Sequence, residues 1–402
     1  MEPTLLGEEL PAEGTSTFPA TNEGPFEGFG PDRWLPYPQP PLWRGRGDSP
    51  ETLRHWVRSE APQRPAVYGM LDVAGRLIYV GKSKRVRSRL LSYFLPGNEE
   101  EKAGKIRRNA VEIVIEPQPS EFAALLREQD LIRRFEPRWN VQGMPKRQRP
   151  MFLCLGRGPA ATLYVSRQPD AQAIHWAGPF WGASRLRRVA EVLQRSFRLR
   201  DCNQKTPIDF SGQLVLFEQA RAGCLRREIG TCLAPCTQGC TRQAYQRQVD
   251  DCIRFLEGEG EEVIAQLQQK MVVASQRLLF EDAMRLREDW RRLQWLRERI
   301  VRQHAARKLY HGLYALPGHD QLGIAYQIDR GQVIAAHRLP QSRSGLRQLV
   351  GRLSEGLGLP TKSARVASGE QSEQLALVAA WFRKYPQERR RLMPPENTSA
   401  TD

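Results

Sequence analysis

Apolar residues recur along the first half of the chain in two different periods, and each period predicts one kind of element. Short apolar runs bounded by turn residues predict β-strands at residues 66–71, 76–80 and 111–115. From Ser120, apolar residues recur at helical spacing as Phe122, Leu125, Leu126, Ile132 and Phe135. With a basic helical segment at residues 84–94, these elements predict a compact α+β domain over residues 66–145.

The first 65 residues carry no such pattern. They are rich in Pro, Gly and Glu, and their apolar residues are too scattered to define a helix or a strand. The sequence therefore predicts a flexible leader over residues 1–65, with order beginning at Ala66.

The pattern after residue 145 predicts three further segments and a tail. Two strand-like runs, a helix and most of the cysteines indicate a linker and Cys-cluster domain over residues 146–256. Consecutive helices that turn at Leu278 and Leu279 predict a helical hairpin over residues 257–305. Mixed strand and helix patterns then predict a small C-terminal α/β domain over residues 306–390 and a tail over residues 391–402.

Length and charge narrow the class of partner. A chain of 402 residues with 40% apolar content predicts several domains, and its net charge of +16 favours a polyanionic partner. Nucleic acid is the leading candidate, and an anionic membrane surface is the alternative. Because no segment is apolar enough to span a bilayer and no signal-peptide pattern opens the chain, we expect a cytoplasmic protein without a membrane partner.

The predicted first domain contains the groups that phosphodiester hydrolysis requires, namely a base, cations and a metal ligand. Tyr68 and Tyr79 are eleven positions apart on the two strands of a predicted hairpin, so a tight turn would bring both phenols to one edge. Lys82 follows Gly81, which permits close approach of a phosphate to the backbone. Arg89 and Tyr93 share a helix face, and Glu128 is the carboxylate that we assign to Mg²⁺ or Mn²⁺.

The seven cysteines are too few for a secreted disulfide framework, which leaves metal binding or buried thiols. Cys224, Cys232 and Cys236 follow Cys202, and four thiolates would hold Zn²⁺ or an iron–sulfur cluster. Cys240 is an alternative last ligand, and free reduced thiols are the alternative to a metal site. Cys154 and Cys252 are expected to be buried apolar residues.

The same residues resemble the GIY-YIG nuclease superfamily, and within it the UvrC family with its short homologue Cho. The resemblance runs in order from Ala66-Val67-Tyr68 and Tyr79-Val80-Gly81 to Leu126-Arg127-Glu128 and Pro137-Arg138-Trp139-Asn140. Ala66 stands where the first motif usually has Gly. The resemblance implies that Glu128 binds the metal, that Lys82 and Arg89 steady the phosphate, and that Tyr68 or Tyr79 is the general base. It also implies roles for Tyr93 and Asn140 in catalysis, and for Lys84, Arg85 and Arg87 in DNA binding.

The resemblance extends to the cysteines and to the hairpin. It implies a 4Fe–4S cluster on Cys202, Cys224, Cys232 and Cys236, with Zn²⁺ as the alternative. Residues 268–288 resemble the UVR motif, which implies that a UvrB-like protein contacts Phe280, Ala283, Met284 and Leu286, whereas internal packing is the alternative.

The function implied is incision on the 3′ side of a lesion in damaged, UvrB-bound double-stranded DNA during nucleotide excision repair. A free-standing structure-specific nuclease and an inactive DNA-binding scaffold are the alternatives.

Overall fold

A computed structural model shows a mixed α+β chain that divides into two compact units. The structure describes residues 25–95, 102–140, 150–156, 158–203, 205–212, 223–354 and 369–394. The first unit contains Met1–Asp32 and Gln39–Met144, and the second contains Arg33–Pro38 and Pro145–Asp402. No helix within the described ranges combines the length and the apolar character needed to cross a membrane.

The first unit is built on a four-stranded antiparallel sheet in the order β1-β4-β2-β3, which makes β3 an edge strand. Helices and strands of this unit are β1 Trp43–Arg46, α1 Pro50–Ser59, β2 Ala66–Leu71, β3 Leu77–Ser83, α2 Val86–Leu91, α3 Lys102–Asn109, β4 Glu112–Pro117 and α4 Glu121–Phe135. Apolar residues are buried on both faces of the sheet, in two separate clusters. The predicted α+β class is therefore confirmed.

Local chemistry fixes the β2–β3 hairpin and the start of α4. The Asp72 carboxylate accepts hydrogen bonds from the backbone N–H groups of Ala74 and Arg76, and Gly75 supplies the positive φ of 73° in the turn. Ser120 caps α4, because its hydroxyl oxygen accepts a hydrogen bond from the backbone N–H of Ala123. Both elements begin where the sequence predicts them.

The leader expected over residues 1–65 is wrong for its described part, residues 25–65, while residues 1–24 lie outside the described residues. Strand β1 pairs with β4, and Phe29 is buried in the core against β2 and β4 residues. The buried guanidinium of Arg127 donates hydrogen bonds to the carbonyls of Gly30 and Pro31 and pairs with Glu116. This segment lacks a local apolar period because distant partners, rather than its own neighbours, order it.

The second unit begins with a three-stranded antiparallel sheet in the order β6-β5-β7, followed by helices. Its first elements are β5 Met151–Gly156, β6 Leu163–Ser166, β7 Ala173–Phe180, α5 Ala183–Ser196, α6 Leu225–Glu228, α7 Arg242–Leu256, α8 Glu262–Gln276 and α9 Phe280–Leu309. Helices α8 and α9 form the predicted hairpin around Leu278 and Leu279. Its base shares one apolar core with the sheet, α5 and α7, so the boundary expected at residue 256 does not separate two cores.

The C-terminal part of the second unit contains a four-stranded sheet in the order β10-β9-β8-β11. Its elements are β8 Gly312–Leu316, β9 Ile324–Asp329, β10 Gln332–Arg338, α10 Arg343–Ser354, α11 Gly369–Lys384 and β11 Leu392–Met393. The described strand pairs of this sheet are all antiparallel, so strands and helices form a mixed region of the α+β kind. The tail expected from residue 391 contributes the short strand β11 to this sheet, and residues 395–402 lie outside the described part.

Candidate active site

Three tyrosines from three elements meet beside the edge strand β3. Tyr68 lies on β2, Tyr79 on β3, and Tyr93 in the short 3-10 turn that follows α2. Each pair of ring centroids is 6.2 Å apart, and the hydroxyl oxygens of Tyr68 and Tyr93 are 3.0 Å apart. The hairpin thus places both predicted phenols together, and Tyr93 completes the group.

Gly81 makes room for Tyr68. The antiparallel register sets Gly81 directly opposite Tyr68, and a Cβ at Gly81 would lie 2.5 Å from the Tyr68 hydroxyl oxygen. A Cβ atom cannot approach an oxygen that closely, so the Tyr68 phenol can occupy this position only because residue 81 is a glycine. The sequence analysis assigned Gly81 to close approach of a phosphate, whereas the structure gives it this steric role.

Burial is the main cause that raises the pKa of each of the three phenols. Tyr79 further raises the pKa of Tyr68, and Tyr93 further raises the pKa of Tyr79. Tyr68 is fully buried, while Tyr79 is only half-buried and is electrostatically coupled to Glu128. A phenol in this group needs nearby positive charge before it loses its proton near neutral pH.

Two cations approach the tyrosines. The Arg89 guanidinium carbon lies 5.2 Å from the Tyr93 ring centroid, and Arg89 lowers the pKa of all three phenols. The Lys102 ammonium, from the first turn of α3, lies 5.3 Å from the Tyr79 ring centroid, and partial burial lowers its pKa. Sequence reasoning missed Lys102, because its distance from the motifs along the chain gave no signal that α3 returns to the site.

Lys82 lies between two carboxylates. Its ammonium nitrogen is 2.8 Å from the Glu121 carboxylate, and its backbone N–H donates a hydrogen bond to the Glu128 carboxylate. Glu121 is a second carboxylate beside Lys82 that the sequence motifs do not indicate. The two acids are seven residues apart on α4 and therefore share the helix face that contacts β3.

Glu128 is the carboxylate best placed to hold a divalent cation. Burial raises the pKa of the Glu128 carboxyl to about 7, although Lys82 and Arg89 lower it. A carboxylate withdrawn from water gains most from a nearby cation, because the cation offsets the cost of its burial. Within the described residues no group of three acidic, His or Cys side chains converges as a complete metal cage. A single carboxylate fits Mg²⁺, which keeps several waters and binds substrate phosphates.

Asn140 positions strand β3 through the backbone. Its side-chain oxygen accepts a hydrogen bond of 2.9 Å from the Val80 N–H, and its amide nitrogen donates one of 2.8 Å to the Val80 carbonyl. These two bonds occupy the outer edge of β3 between Tyr79 and Gly81. Asn140 is buried and is therefore a positioning residue in this structure.

The expected DNA-binding residues fall into two groups. Lys84 and Arg85 are exposed between β3 and α2. Arg87 is half-buried and donates a hydrogen bond from its guanidinium to the Ala61 carbonyl. Arg87 therefore has a structural contact besides any contact with DNA.

The four predicted cysteine ligands line one cavity of about 380 Å³ in the second unit, and no described set of three converges on a single point. They are Cys202, Cys224, Cys232 and Cys236. Burial, together with the other three thiols, raises the pKa of Cys232 to about 11. Cys240 instead packs in the apolar core of the unit, so the structure removes it as an alternative ligand.

The turn of the helical hairpin exposes an apolar patch, which we define as Leu278, Leu279, Phe280 and Met284. Phe280 is 64% exposed and Met284 is 67% exposed. Ala283 and Leu286 are both half-buried, and Leu286 also packs against the core of the unit. The sequence predicts the turn at Leu278 and Leu279, and two leucines at a turn also indicate an exposed apolar surface.

Comparison with known proteins matches two regions of the chain. Residues 64–141 match the UvrC-like GIY-YIG domain, and residues 151–255 match the UvrC/Cho excinuclease middle domain. UvrABC system protein C of Chromohalobacter salexigens is 34% identical over 250 residues, which are 62% of this chain and 39% of that protein. The protein of the same name from Yersinia pseudotuberculosis is 34% identical over 227 residues, which are 56% of this chain and 35% of that protein.

A solved structure was also found. The crystal structure of the GIY-YIG N-terminal endonuclease domain of UvrC from Thermotoga maritima, bound to its catalytic divalent cation magnesium, is 35% identical. The match covers 22% of this chain and 94% of the Thermotoga maritima chain, with a TM-score of 0.20. This chain thus spans about two fifths of the length of the curated relatives that it matches. Residues 64–141 thus match a UvrC-like GIY-YIG domain, and residues 151–255 match the middle domain of the UvrC/Cho excinucleases.

Proposed function

We propose that this protein is a metal-dependent DNA endonuclease of nucleotide excision repair that cuts on the 3′ side of a lesion in a UvrB-bound duplex. The observation that carries the proposal is the meeting of Tyr68, Tyr79, Arg89, Lys82 and Glu128 at the edge of one sheet. Their side chains provide a base, phosphate-binding cations and a metal ligand, and the UvrC-like match of residues 64–141 supports the same chemistry.

Tyr79 is the proposed general base. Its phenol is the more exposed of the two candidates, whereas Tyr68 is fully buried, and Tyr79 lies close enough to Glu128 for that carboxylate to raise the pKa of its phenol. Glu128 would hold the divalent cation, Mg²⁺ or Mn²⁺, whose positive charge would offset the effect of Glu128 on the Tyr79 phenol and the negative charge of the reacting phosphate. Once deprotonated, Tyr79 takes a proton from the attacking water, whose oxygen bonds to phosphorus as the P–O bond to the leaving ester oxygen breaks. The leaving oxygen takes a proton from solvent, and Arg89 stabilises the charge that develops on the phosphate oxygens.

Lys82 binds the phosphate only when it leaves Glu121. The Lys82 and Glu121 side chains are only 19% and 16% exposed, so their ion pair is largely shielded from water. An incoming phosphate carries the same sign of charge as Glu121 and competes with it for the Lys82 ammonium. Tyr68 and Tyr93 hold the hydroxyl network in place, and Lys102 adds positive charge beside the Tyr79 ring.

We further propose that the four cysteines hold a 4Fe–4S cluster rather than Zn²⁺. Zinc requires all four sulfur atoms at about 2.3 Å from one point, whereas a cluster binds each cysteine through a different iron. The four cysteines line one cavity, and no set of three among the described residues converges on a single ion. The Ala234 N–H also lies 3.3 Å from the Cys232 sulfur atom and donates a hydrogen bond to it, an outer-shell contact common around bound sulfur ligands.

The cluster is tested with protein purified without oxygen. We expect about four iron atoms and four labile sulfides for each chain, and we expect Cys232→Ala to lose both. Cys154→Ala is the matched control, because Cys154 is buried but does not line the cavity. Zinc without iron, or iron that survives Cys232→Ala, would contradict the cluster.

The hairpin patch is the proposed docking surface for UvrB. Phe280→Ala removes an exposed aromatic ring and should weaken UvrB binding at least about tenfold, because buried aromatic anchors dominate interfaces. Val301→Ala is the control, since Val301 is an exposed apolar residue on the same helix but far from the turn. Calorimetry measures binding for both variants.

The same variants test the whole function in a cutting assay. Wild type and Val301→Ala should cut an end-labelled, lesion-bearing duplex that is preloaded with UvrB, on the 3′ side of the lesion and only with Mg²⁺ or Mn²⁺. Phe280→Ala should lose this cut. Efficient cutting of branched DNA without UvrB, and none of the preloaded duplex, would instead indicate a free-standing structure-specific nuclease. No cutting of either substrate would indicate an inactive scaffold.

A further inference from the structure

Two arginines of the second unit stack on one tryptophan. The guanidinium carbons of Arg185, on α5, and Arg299, on α9, lie 4.1 Å and 5.6 Å from the centroid of the Trp295 ring. Both arginines are exposed and the ring is half-buried. We call Arg185, Trp295 and Arg299 the Arg–Trp cluster, and Arg188 lies one helical turn from Arg185.

The charges of this cluster are not balanced within the protein. Among the residues that the structure describes, Arg185, Arg188 and Arg299 have no ion pair. Neighbouring arginines differ, because five of them on α5 and α9 are paired with carboxylates. They are Arg195, Arg291, Arg292, Arg297 and Arg302.

Packing and helix stability do not account for the cluster. Arg185 and Arg188 lie near the N-terminal end of α5, where the helix dipole disfavours cations, and the first turn of α5 has no acidic residue. Two guanidinium groups on one ring also repel each other. Stacking on Trp295 does hold both groups in fixed, exposed positions, which lowers the entropy that each loses when it binds an anion.

We propose that the Arg–Trp cluster, with Arg188, binds the phosphate backbone of duplex DNA outside the nuclease domain. Planar guanidinium groups match phosphate oxygens in geometry as well as in charge, and the chain carries 61 Lys and Arg against 45 Asp and Glu. The three unpaired cations lie on two helices, α5 and α9, so a ligand with several phosphates can contact all of them, whereas a single small anion cannot. The inference rests on the proposed DNA substrate and gives the protein a second, sequence-independent contact with it.

The test compares two double variants of the full-length chain that remove the same charge. Arg185→Gln/Arg299→Gln removes the cluster cations, whereas Arg285→Gln/Arg291→Gln removes two cations that pair with Asp282 and Glu288 in the same unit. Fluorescence anisotropy with a labelled duplex measures affinity over a series of NaCl concentrations, without divalent cations so that no cutting occurs. Circular dichroism checks that each variant is folded.

We expect the cluster variant to bind at least about tenfold more weakly near 0.1 M salt, with the slope of log K against log salt reduced by about 1.8, because each phosphate contact contributes about 0.9. The Arg285/Arg291 variant should stay within about threefold of wild type, since screening limits distant charges. Arg185→Lys/Arg299→Lys retains the charges but not the planar stacked groups, and should recover only part of the affinity.

Equal losses in the two Gln variants would overturn the proposal, because they would show an effect of net charge alone. Unchanged duplex affinity with a loss of UvrB binding would also overturn it, and would make the cluster a protein interface. If the cluster variant loses affinity but wild type cuts no DNA, the cluster stands and the proposed nuclease function fails.

Discussion

Glu128→Gln is expected to lower the rate of metal-dependent cutting by a factor of about 1,000 or more, because the amide keeps the side-chain size but not the charge that holds the cation. The Glu128 carboxylate is enclosed beside Lys82 and Arg89, and burial raises its pKa. The variant should fold normally, since removing a destabilised carboxylate relieves a desolvation cost. Single-turnover cutting with Mg²⁺ and with Mn²⁺ measures the loss.

Glu121→Gln is the matched control for this prediction. It is the same substitution on the same helix face, seven residues earlier, and it removes the charge that pairs with Lys82. We expect its cutting rate to stay within about threefold of wild type. A loss as large as that of Glu128→Gln would move the metal to Glu121 or divide it between the two carboxylates.

The raised pKa of Glu128 also predicts how metal binding depends on pH. The carboxyl must lose its proton to bind the cation, and with a pKa of about 7 the ionised fraction rises about tenfold between pH 6 and pH 8. Apparent Mn²⁺ affinity measured by calorimetry should rise by the same factor.

The stability of the metal-free protein depends on pH in the opposite direction. Between pH 4.5 and about 7, the Glu128 carboxyl keeps its proton in the folded state but has lost it in the unfolded state. The free energy of unfolding therefore falls as pH rises from 4.5 to about 7, and Glu128→Gln removes this fall.

Gly81→Ala is expected to lower kcat by a factor of about 100 or more, because a misplacement of about 1 Å at a catalytic group has that cost. The added Cβ would lie 2.5 Å from the Tyr68 hydroxyl oxygen and 2.6 Å from the ring carbon that bears it. The phenol must therefore move, which breaks its hydrogen bond with Tyr93 and disturbs the position of Tyr79. Overpacking should also reduce the free energy of unfolding by about 1–3 kcal/mol.

Gly28→Ala is the control for this substitution. It lies in the same unit, and a Cβ there would meet only a Leu42 methyl carbon at 3.7 Å, which is an ordinary contact. Its cutting rate should equal that of wild type. Wild-type kcat in Gly81→Ala, with KM alone raised, would show that Tyr68 only binds substrate and that its exact position does not limit the chemistry.

The sequence by itself determined the elements that short-range chemistry controls. Ser120 begins α4 because its hydroxyl caps the next turn, and Asp72 with Gly75 closes the β2–β3 hairpin. Since the hairpin carries Tyr68 and Tyr79 and α4 carries Glu128, the order of the motifs predicts that these three residues meet. The hairpin of α8 and α9 was predicted from helical periodicity for the same reason.

Tertiary structure alone decided what depends on distant partners. Strand β1 has the sequence Trp-Arg-Gly-Arg, which shows no apolar alternation, and it is a strand because β4 offers unpaired backbone groups. Likewise only the folded chain shows that Glu121 holds Lys82, that Lys102 reaches Tyr79 and that Tyr68 covers Gly81. The period of the apolar residues predicts which face of a helix or strand is buried. It does not predict which residues pack against that face, because those residues are far apart in sequence.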